Sequence, residues 1–344
     1  MRRASLGVAA LGLAAVVMVP TLVAGETLGE VYRHVNASTV VIRARGQEVT
    51  DKGVSQFREI GSGVLISPDG KIATAAHVVH VMQEVVVEFL GADPVPAHVI
   101  ASEPRADISI IQASVVPRDA VVAKLSDSDR VLVGDPVFIV GAPYGLSHSL
   151  SAGIISARWD AGSVVPDFPL AEFFQTDAVI NTGNSGGPMF SRTGELIGIV
   201  SHNITQSGGS EGLGFVVTAN TVHKLLVEQH RRWYGVDLLL VTGATAEALR
   251  VPQAGGFLVK QVVQDSAAGK IGLRGGDRIG IVDGQKLVVG GDVLLAVQGI
   301  KLTSNEDMVR ALKSLETLQP GQDLRVTILR DEKVQELRMK WTGR

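Results

Sequence analysis

The sequence predicts a mostly β protein, with two β-barrels followed by a smaller C-terminal module. Short apolar runs rich in Val and Ile recur along the chain, and turn residues separate them, which is typical of barrels. Glycine is frequent, with 39 among 344 residues, whereas aromatic residues make up only 4%. Because 45% of the residues are hydrophobic, the chain can bury a sizeable core and allows more than one domain.

Residues 1–25 are typical of a secretory signal peptide. Met1-Arg2-Arg3 is basic, residues 6–19 are apolar, and small residues lead to a cleavage site before Glu26. The apolar run is short for a membrane-spanning helix, which needs about 20 residues. The sequence therefore predicts export to the periplasm. An uncleaved membrane anchor is the alternative, because extending the run to Val23 brings it near the spanning length.

Charge and composition narrow the classes of ligand. A formal net charge of −3 gives no basic footprint for nucleic acid, so no nucleic-acid partner is expected. The chain has no cysteine, which excludes disulfides, iron–sulfur clusters and thiolate metal sites. The histidines lack ligand spacing and the acids are scattered, so we expect neither a metal nor a cofactor. No Walker A motif is present, which indicates a function independent of ATP.

A short helix is predicted at residues 27–35, before the first series of strands. A turn at residues 67–70 joins two of these strands, and the polar stretch 46–57 predicts a loop. The strands of this first barrel are expected at residues 38–44, 61–66, 71–75, 85–89, 97–101 and 108–111.

A second series of strands continues the rhythm. A helix is expected to follow it at residues 220–233, with Asn220 as N-cap and basic residues in its last turn. Residue 233 is therefore the predicted end of the barrel region that begins at residue 26. The strands of the second barrel are expected at residues 136–140, 150–157, 172–176 and 212–217, with further apolar runs at 178–180 and 196–200.

The stretch 181–188, Asn-Thr-Gly-Asn-Ser-Gly-Gly-Pro, places one serine in a tight run of glycines between two apolar runs. A serine hydroxyl becomes a good nucleophile only when a base takes its proton and donors stabilise the oxyanion. Glycines would let a substrate carbonyl approach the amides of Gly183 and Ser185, which flank Asn184. The alternative is a plain glycine-rich turn, so the choice depends on a base and a carboxylate elsewhere.

His77 and Asp107 supply those two groups. His77 ends the run Thr-Ala-Ala-His, and Asp107 opens an apolar run. The order His, Asp, Ser along the chain is that of chymotrypsin, not of subtilisin or the α/β-hydrolases. We therefore predict Ser185 as nucleophile, His77 as general base and Asp107 as the carboxylate that orients it. Asp69 and Asp177 are the competing carboxylates. The remaining histidines lack the same context and are expected to be structural: His34, His80, His98, His148, His202, His223 and His230.

Together the three motifs resemble the HtrA (Deg) family of trypsin-fold serine proteases, and the resemblance covers nearly the whole mature chain. It implies two six-stranded antiparallel barrels of the trypsin-like type, with the active site between them. It further implies an endopeptidase for unfolded or damaged proteins and a homotrimer or higher assembly. Thr182 stands where the family commonly has proline or arginine, which leaves the resting state open. By position, the S1 pocket would be lined by Ile180, Ile199, Val200 and Ser201, none of them acidic, which favours small or medium apolar P1 side chains.

Residues 234–344 resemble a PDZ domain, the usual companion of HtrA proteases. PDZ domains bind a chain end as an added strand, and loop amides hold its carboxylate. The candidate loop contains Tyr234, Gly235 and Val236, and the groove helix is expected at residues 304–315. Gly-Gly-Asp occurs twice, and only the second copy continues as the family's strand does. The first copy therefore predicts an inserted hairpin near residues 277–290, with Asp-Gly at its turn.

Two other functions compete with a general endopeptidase. The chain could be a holding chaperone or peptide-sensing scaffold with secondary proteolysis, although a scaffold needs no triad. It could also be a membrane-anchored, site-specific stress-signalling protease that waits for a peptide at its PDZ domain.

Overall fold

Strands dominate the computed structural model, which describes residues 26–229 and 232–342. The predicted signal peptide lies outside the described residues. Within those two ranges, no helix is both long and apolar enough to cross a membrane.

The first six strands close into a barrel, as the sequence predicts. Helix α1 precedes them, and a capping box between Thr27 and Glu30 satisfies its first amides. Helix α2 lies between β3 and β4. The strands pair in the order β1-β2-β3-β6-β5-β4 around a core that includes Ile42, Leu65 and Ile111. The bounds are α1 Leu28–Val35, β1 Thr39–Thr50, β2 Gly53–Leu65, β3 Lys71–Thr74, α2 Ala76–Val79, β4 Glu84–Phe89, β5 Val95–Glu103 and β6 Ile108–Ala113.

The loop predicted at residues 46–57 is wrong. Strands β1 and β2 stay paired to their ends, from Gly46 opposite Phe57 to Thr50 opposite Gly53. This outer part of the hairpin is largely exposed or half-buried. Because neither face is buried in the barrel core, the sequence lacks the apolar alternation that indicates a strand.

The second barrel also closes with six antiparallel strands, in the order β10-β11-β12-β9-β8-β7. Phe174 packs in its interior with Val137 and Ile155. Phe138, Phe173 and Phe190 are also buried, but they lie in a cluster that includes Val64 and Ile108 of the first barrel. The two series of short strands therefore confirm the predicted barrels. The bounds are β7 Pro136–Gly141, β8 Ser149–Trp159, β9 Phe173–Thr176, β10 Pro188–Ser191, β11 Leu196–Asn203 and β12 Gly214–Thr218.

The helix after the second barrel begins earlier than predicted. Helix α3 spans Ala219–Val222 and continues as a π-helical segment at His223–Glu228. Its N-cap is Thr218, whose hydroxyl accepts from the Thr221 amide at 3.3 Å. The predicted N-cap, Asn220, is wrong, because its side chain bonds Asp127 instead.

The C-terminal domain is a sheet of order β13-β14-β17-β19-β20, with the short strand β18 beside β17. Strand β13 is therefore an edge strand. Strands β15 and β16 pair only with each other and form a hairpin at the position of the predicted insertion. Helix α6 starts with the capping box expected from Ser304 and Asp307. The bounds are β13 Val236–Thr242, α4 Gly243–Ala248, β14 Gly255–Val262, α5 Ala267–Lys270, β15 Arg278–Val282, β16 Gln285–Val289, β17 Val293–Val297, β18 Ile300–Lys301, α6 Asn305–Glu316, β19 Asp323–Arg330 and β20 Lys333–Lys340.

A polar seam joins the C-terminal domain to the first barrel. The Gln261 side chain donates to the carbonyls of Gln47 and Val81, at 2.8 and 3.2 Å. In the other direction, the Gln83 side chain donates to the Val262 carbonyl at 3.2 Å and accepts from the Gln264 amide at 3.3 Å. Glutamine side chains of each domain thus bond backbone groups of the other domain. These bonds fix the position of the C-terminal domain against the first barrel.

Candidate active site

His77 and Asp107 are brought together by two short local structures. His77 lies in the first turn of α2, directly after β3. Asp107 ends a 3₁₀ turn at Pro104–Ala106 and adopts the left-handed conformation, with φ at 53°. That sharp turn directs the carboxylate toward α2 before β6 begins. The residues between these two elements build β4 and β5, so the pairing depends on closure of the barrel.

The contacts between His77 and Asp107 match those of an oriented catalytic histidine. The Nδ1 atom of His77 lies 2.9 Å and 3.0 Å from the two carboxylate oxygens, and its backbone amide donates to Oδ1 at 3.1 Å. Asp107 is 1% exposed, whereas the His77 side chain is 43% exposed. Nδ1 therefore donates to the carboxylate, and Nε2 carries the lone pair of the neutral ring.

Each partner shifts the pKa of the other. Burial by itself would lower the pKa of His77, but the hydrogen bond and the charge of Asp107 outweigh it and raise that pKa above its ordinary value. Burial would raise the pKa of Asp107, but bonds from His77 and Ser201 hold it below its ordinary value. The competing carboxylates lie elsewhere: Asp69 bonds Ser67, and Asp177 accepts from the Ile154 amide.

Ser185 lies on a loop that both barrels hold. Its carbonyl accepts from the Ser62 amide of the first barrel at 2.8 Å, and the Ser62 hydroxyl donates to the Gly183 carbonyl at 2.7 Å. The Ser185 hydroxyl donates to the Ser201 carbonyl at 3.1 Å. Among the described residues, no hydrogen bond joins that hydroxyl to His77. Ser62 was missed by sequence reasoning, since nothing local links it to a loop 121 residues away.

The amides of Gly183 and Ser185 form the candidate oxyanion hole. Within the described ranges, neither amide donates to a protein acceptor. Gly183 has φ at 101°, and the Thr182 carbonyl before it is bonded by the Tyr144 amide at 2.8 Å. One free amide belongs to the nucleophile itself and the other lies two residues before it, so both can reach an oxyanion formed at Ser185.

Asn184 lies between these two amides, and its own N–H groups are already bonded within the turn. Its amide donates to the Asn181 carbonyl at 2.9 Å, and its side chain donates to the Val179 carbonyl at 3.3 Å. Asn184 is 4% exposed. It therefore shapes the turn that presents its two neighbours, and it offers no donor of its own to an oxyanion.

Known proteins are similar in sequence to the region that contains this site. A trypsin-like peptidase domain matches residues 61–199, a range that includes His77, Asp107 and Ser185. A probable periplasmic serine endoprotease, DegP-like, from Pseudomonas fulva is 36% identical over 263 residues, or 74% of this chain and 54% of the relative. Its counterpart from Brucella suis is 32% identical over 284 residues, or 80% of this chain and 51% of the relative. This chain is similar to serine proteases of the HtrA (Deg) family.

A solved HtrA structure covers more of the architecture. The HtrA-type protease AlgW with a tripeptide matches with a TM-score of 0.52 and 25% identity, over 92% of this chain and 96% of that chain. By contrast, the chain spans about half the length of the DegP-like relatives that it matches.

The side chains predicted to line the S1 pocket of this chain lie in the core. Ile199 and Val200 have no exposed surface, and Ile180 is 2% exposed. Val200 and Ile180 pack in one apolar cluster and Ile199 in another, because β11 is buried on both faces. The S1 prediction is therefore wrong for these three side chains. What β11 presents to Ser185 is the backbone carbonyl of Ser201.

Ser201 has a different role from the predicted one. Its hydroxyl donates a short hydrogen bond to Asp107 Oδ2, and the residue is 1% exposed. Asp107 thus receives donors from His77 and Ser201 on opposite sides. Sequence reasoning placed Ser201 in the S1 pocket but missed this bond, because the apolar pattern of β11 does not indicate where its last side chains point.

This chain has a second candidate site in its C-terminal domain. A cavity of about 250 Å³ separates β13 from α6, and residues 102–105 of the first barrel border it. Met308 and Leu312 face this groove, whereas Ala311 and Leu315 are buried in the domain core. In the described structure, the amides of Tyr234 and Gly235 donate to no protein acceptor. Val236 begins β13 beside them, and His80 Nε2 lies 3.2 Å from its carbonyl.

Proposed function

We propose that this chain is an exported, ATP-independent serine endopeptidase that degrades unfolded or damaged proteins. The observation that carries the proposal is the His77–Asp107 pair beside Ser185, together with the two free amides of Gly183 and Ser185. Similar proteins carry the name probable periplasmic serine endoprotease, which supports both the proposed activity and the proposed compartment. The chemistry would be acyl transfer through a covalent enzyme intermediate.

The proposed reaction begins with rotation of the Ser185 hydroxyl from the Ser201 carbonyl to His77 Nε2. His77 takes the hydroxyl proton while the oxygen attacks the substrate carbonyl carbon. The negative charge that forms is stabilised by the amides of Gly183 and Ser185, and loss of one such donor typically costs about 3 kcal/mol. His77 then returns the proton to the leaving amine. Water next attacks the carbonyl carbon of the acyl-enzyme, and His77 takes the proton of water and returns it to Ser185 as the acid leaves.

The groove beside β13 is proposed to bind C-terminal peptides, as a PDZ domain does. An extended peptide would add to the edge of β13, and the amides of Tyr234 and Gly235 would receive its carboxylate. Apolar groove residues favour an apolar last side chain; they are Val236, Leu238, Leu240, Phe257, Met308 and Leu312. A homotrimer or higher assembly is part of the proposal on the family resemblance alone.

Cleavage of casein tests the activity. Residues 26–344 should degrade casein, and the Ser185→Ala variant should not. If the unaltered chain is inert but both proteins suppress aggregation of an unfolded client equally, the holding-chaperone function replaces the proposal. Cleavage that survives in Ser185→Ala would overturn the assignment of the nucleophile.

A second candidate is a protease that waits for a peptide in its C-terminal groove. It is favoured by the Ser185 hydroxyl, which bonds Ser201 and not His77. Adding peptides with apolar C-termini to the casein assay separates the two functions. Activation from near silence indicates the sensor, whereas equal rates with and without peptide indicate the general endopeptidase.

A further inference from the structure

Strand β11 carries a β-bulge at the active site. Val200 pairs with Val216 of β12, but His202 pairs with Phe215, so Ser201 is an extra residue in the ladder. In a regular strand, neighbouring side chains point to opposite faces. A bulge breaks that alternation and re-aims side chains. Here it brings His202 Nδ1 to 2.9 Å from Ser201 Oγ.

The direction of the hydrogen bonds follows from the number of protons. Ser201 has one hydroxyl proton, and it goes to Asp107 Oδ2, because an ionised carboxylate only accepts. Ser201 Oγ must therefore accept from His202, whose Nδ1 carries a proton. The result is a chain in which His202 donates to Ser201, Ser201 donates to Asp107, and His77 donates to the same carboxylate from the other side.

Three aromatic rings hold the His202 ring in this orientation. It stacks on Phe215 with centroids 5.2 Å apart and a 10° tilt, and it meets Phe173 edge-on at 5.6 Å. Phe168 lies 5.4 Å away.

Burial lowers the pKa of His202. The charges of Asp107 and Asp167 oppose that shift, and the charge of His77 adds to it. The ring is therefore neutral near pH 7, with its single proton on Nδ1.

We propose that His202 is a positioning residue for the triad: its Nδ1–H holds the Ser201 hydroxyl on Asp107 and thereby fixes the carboxylate that orients His77. The inference rests on the proposed protease function for its kinetic consequence, but the hydrogen-bond chain itself does not. It also corrects the expectation that His202 is merely structural.

Two substitutions separate the hydrogen bond from the packing. His202→Phe keeps a ring among the three phenylalanines but removes the donor. His202→Asn loses the ring but can place an amide N–H near Nδ1. We expect His202→Phe to lower kcat about fivefold with little change in KM, which corresponds to one neutral hydrogen bond, and His202→Asn to restore most of that rate. His98→Phe, at an exposed position of β5, is the matched control and should leave kcat unchanged.

A double mutant tests the route of the effect. In a Ser201→Ala background, His202→Phe should add almost nothing, because the bond it interrupts is already gone. A full additional loss of kcat in that background would overturn the proposal. So would His202→Asn if it were as impaired as His202→Phe, because the ring and not the donor would then matter.

Proton NMR of the Ser185→Ala chain provides a readout that needs no activity. The His77 Nδ1 proton, held between imidazole and carboxylate, should resonate far downfield. We expect it to move or broaden in His202→Phe and to stay in place in His202→Asn and His98→Phe. An unchanged resonance in His202→Phe overturns the inference. If the resonance responds while the unaltered chain cleaves nothing, the positioning role stands and the proposed protease function fails.

Discussion

At the scale of one residue, the backbone conformation of Gly183 positions an amide that is proposed to stabilise the oxyanion. Its φ of 101° belongs to glycine, and a Cβ there would lie 2.1 Å from the Ala142 carbonyl oxygen. No rotation of a side chain can relieve that contact, since the opposing atom is backbone. Any larger residue must therefore move the peptide that carries the first oxyanion donor.

Gly183→Ala is expected to lower kcat on casein by at least about 100-fold, because it displaces an oxyanion donor. Gly134→Ala is the matched control: its φ is 96°, but nothing lies within 4 Å of the added Cβ. The left-handed φ strains both variants by about 1 kcal/mol. The contact with Ala142 adds to that strain only in Gly183→Ala, so its thermal midpoint should fall further than that of Gly134→Ala. Equal kcat for the two variants would argue against the assigned hole.

The acid limb of the pH–rate profile should follow His77. Activity requires the neutral ring, so kcat/KM should fall as the pH drops through the raised pKa of His77. Asp107→Asn removes the main groups that oppose the effect of burial and leaves only the charge of Glu59, so the pKa of His77 falls and the limb moves to lower pH. The maximal rate should also fall, by roughly 10³- to 10⁴-fold.

Asp177→Asn is the control for that profile. Asp177 bonds the Ile154 amide and does not touch His77. Its acid limb should coincide with that of the unaltered protein. An acid limb that moves with Asp177 and not with Asp107 would reverse the choice between the two carboxylates.

At the scale of elements, local chemistry was predictable and remote pairing was not. Helix α6 starts where Ser304 and Asp307 have capping-box spacing, because a cap is formed within four residues. The outer part of the β1–β2 hairpin went unrecognised, since its strands are largely exposed or half-buried and lack a regular apolar alternation. The bond from Ser201 to Asp107 depends on a bulge and spans 94 residues. The sequence around Ser201 or Asp107 indicates neither the bulge nor the hydrogen bond.

Removing the α6 cap should destabilise the C-terminal domain. Ser304→Ala takes away the acceptor of the Asp307 amide, and loss of such a cap typically costs about 1 kcal/mol. The midpoint of thermal unfolding followed by circular dichroism should fall by a few degrees. Ser314→Ala, in the same helix, removes only a bond to the Ala311 carbonyl and should change the midpoint less. The opposite ranking would contradict the capping role.

At the scale of the whole molecule, the glutamine seam decides whether the two parts move together. Gln261 bonds the first barrel, while the Gln264 amide is protected by Gln83 from the other side. These contacts join residues between 179 and 214 positions apart. Such a seam could not be read from the sequence, because its bonds join side chains to backbone groups far away in the chain and leave no local pattern.

Gln261→Ala should open the seam at a distance from the mutation. We expect hydrogen exchange at the Gln264 amide to quicken about fivefold, as loss of roughly 1 kcal/mol of hydrogen bonding implies. Gln112→Ala, whose side chain bonds only within the first barrel, should leave that exchange unchanged. Unaltered exchange in Gln261→Ala would mean that the contacts across the seam open independently.

The edge position of β13 has a consequence for solubility. An unpaired strand edge is a template for any extended chain, and misfolded clients are rich in such chains. Residues 102–105 face this edge across the groove and narrow the approach to it. The closed seam holds the first barrel, and with it residues 102–105, beside this edge. We therefore expect the seam to limit pairing of β13 with the unfolded chains that the protein is proposed to clear.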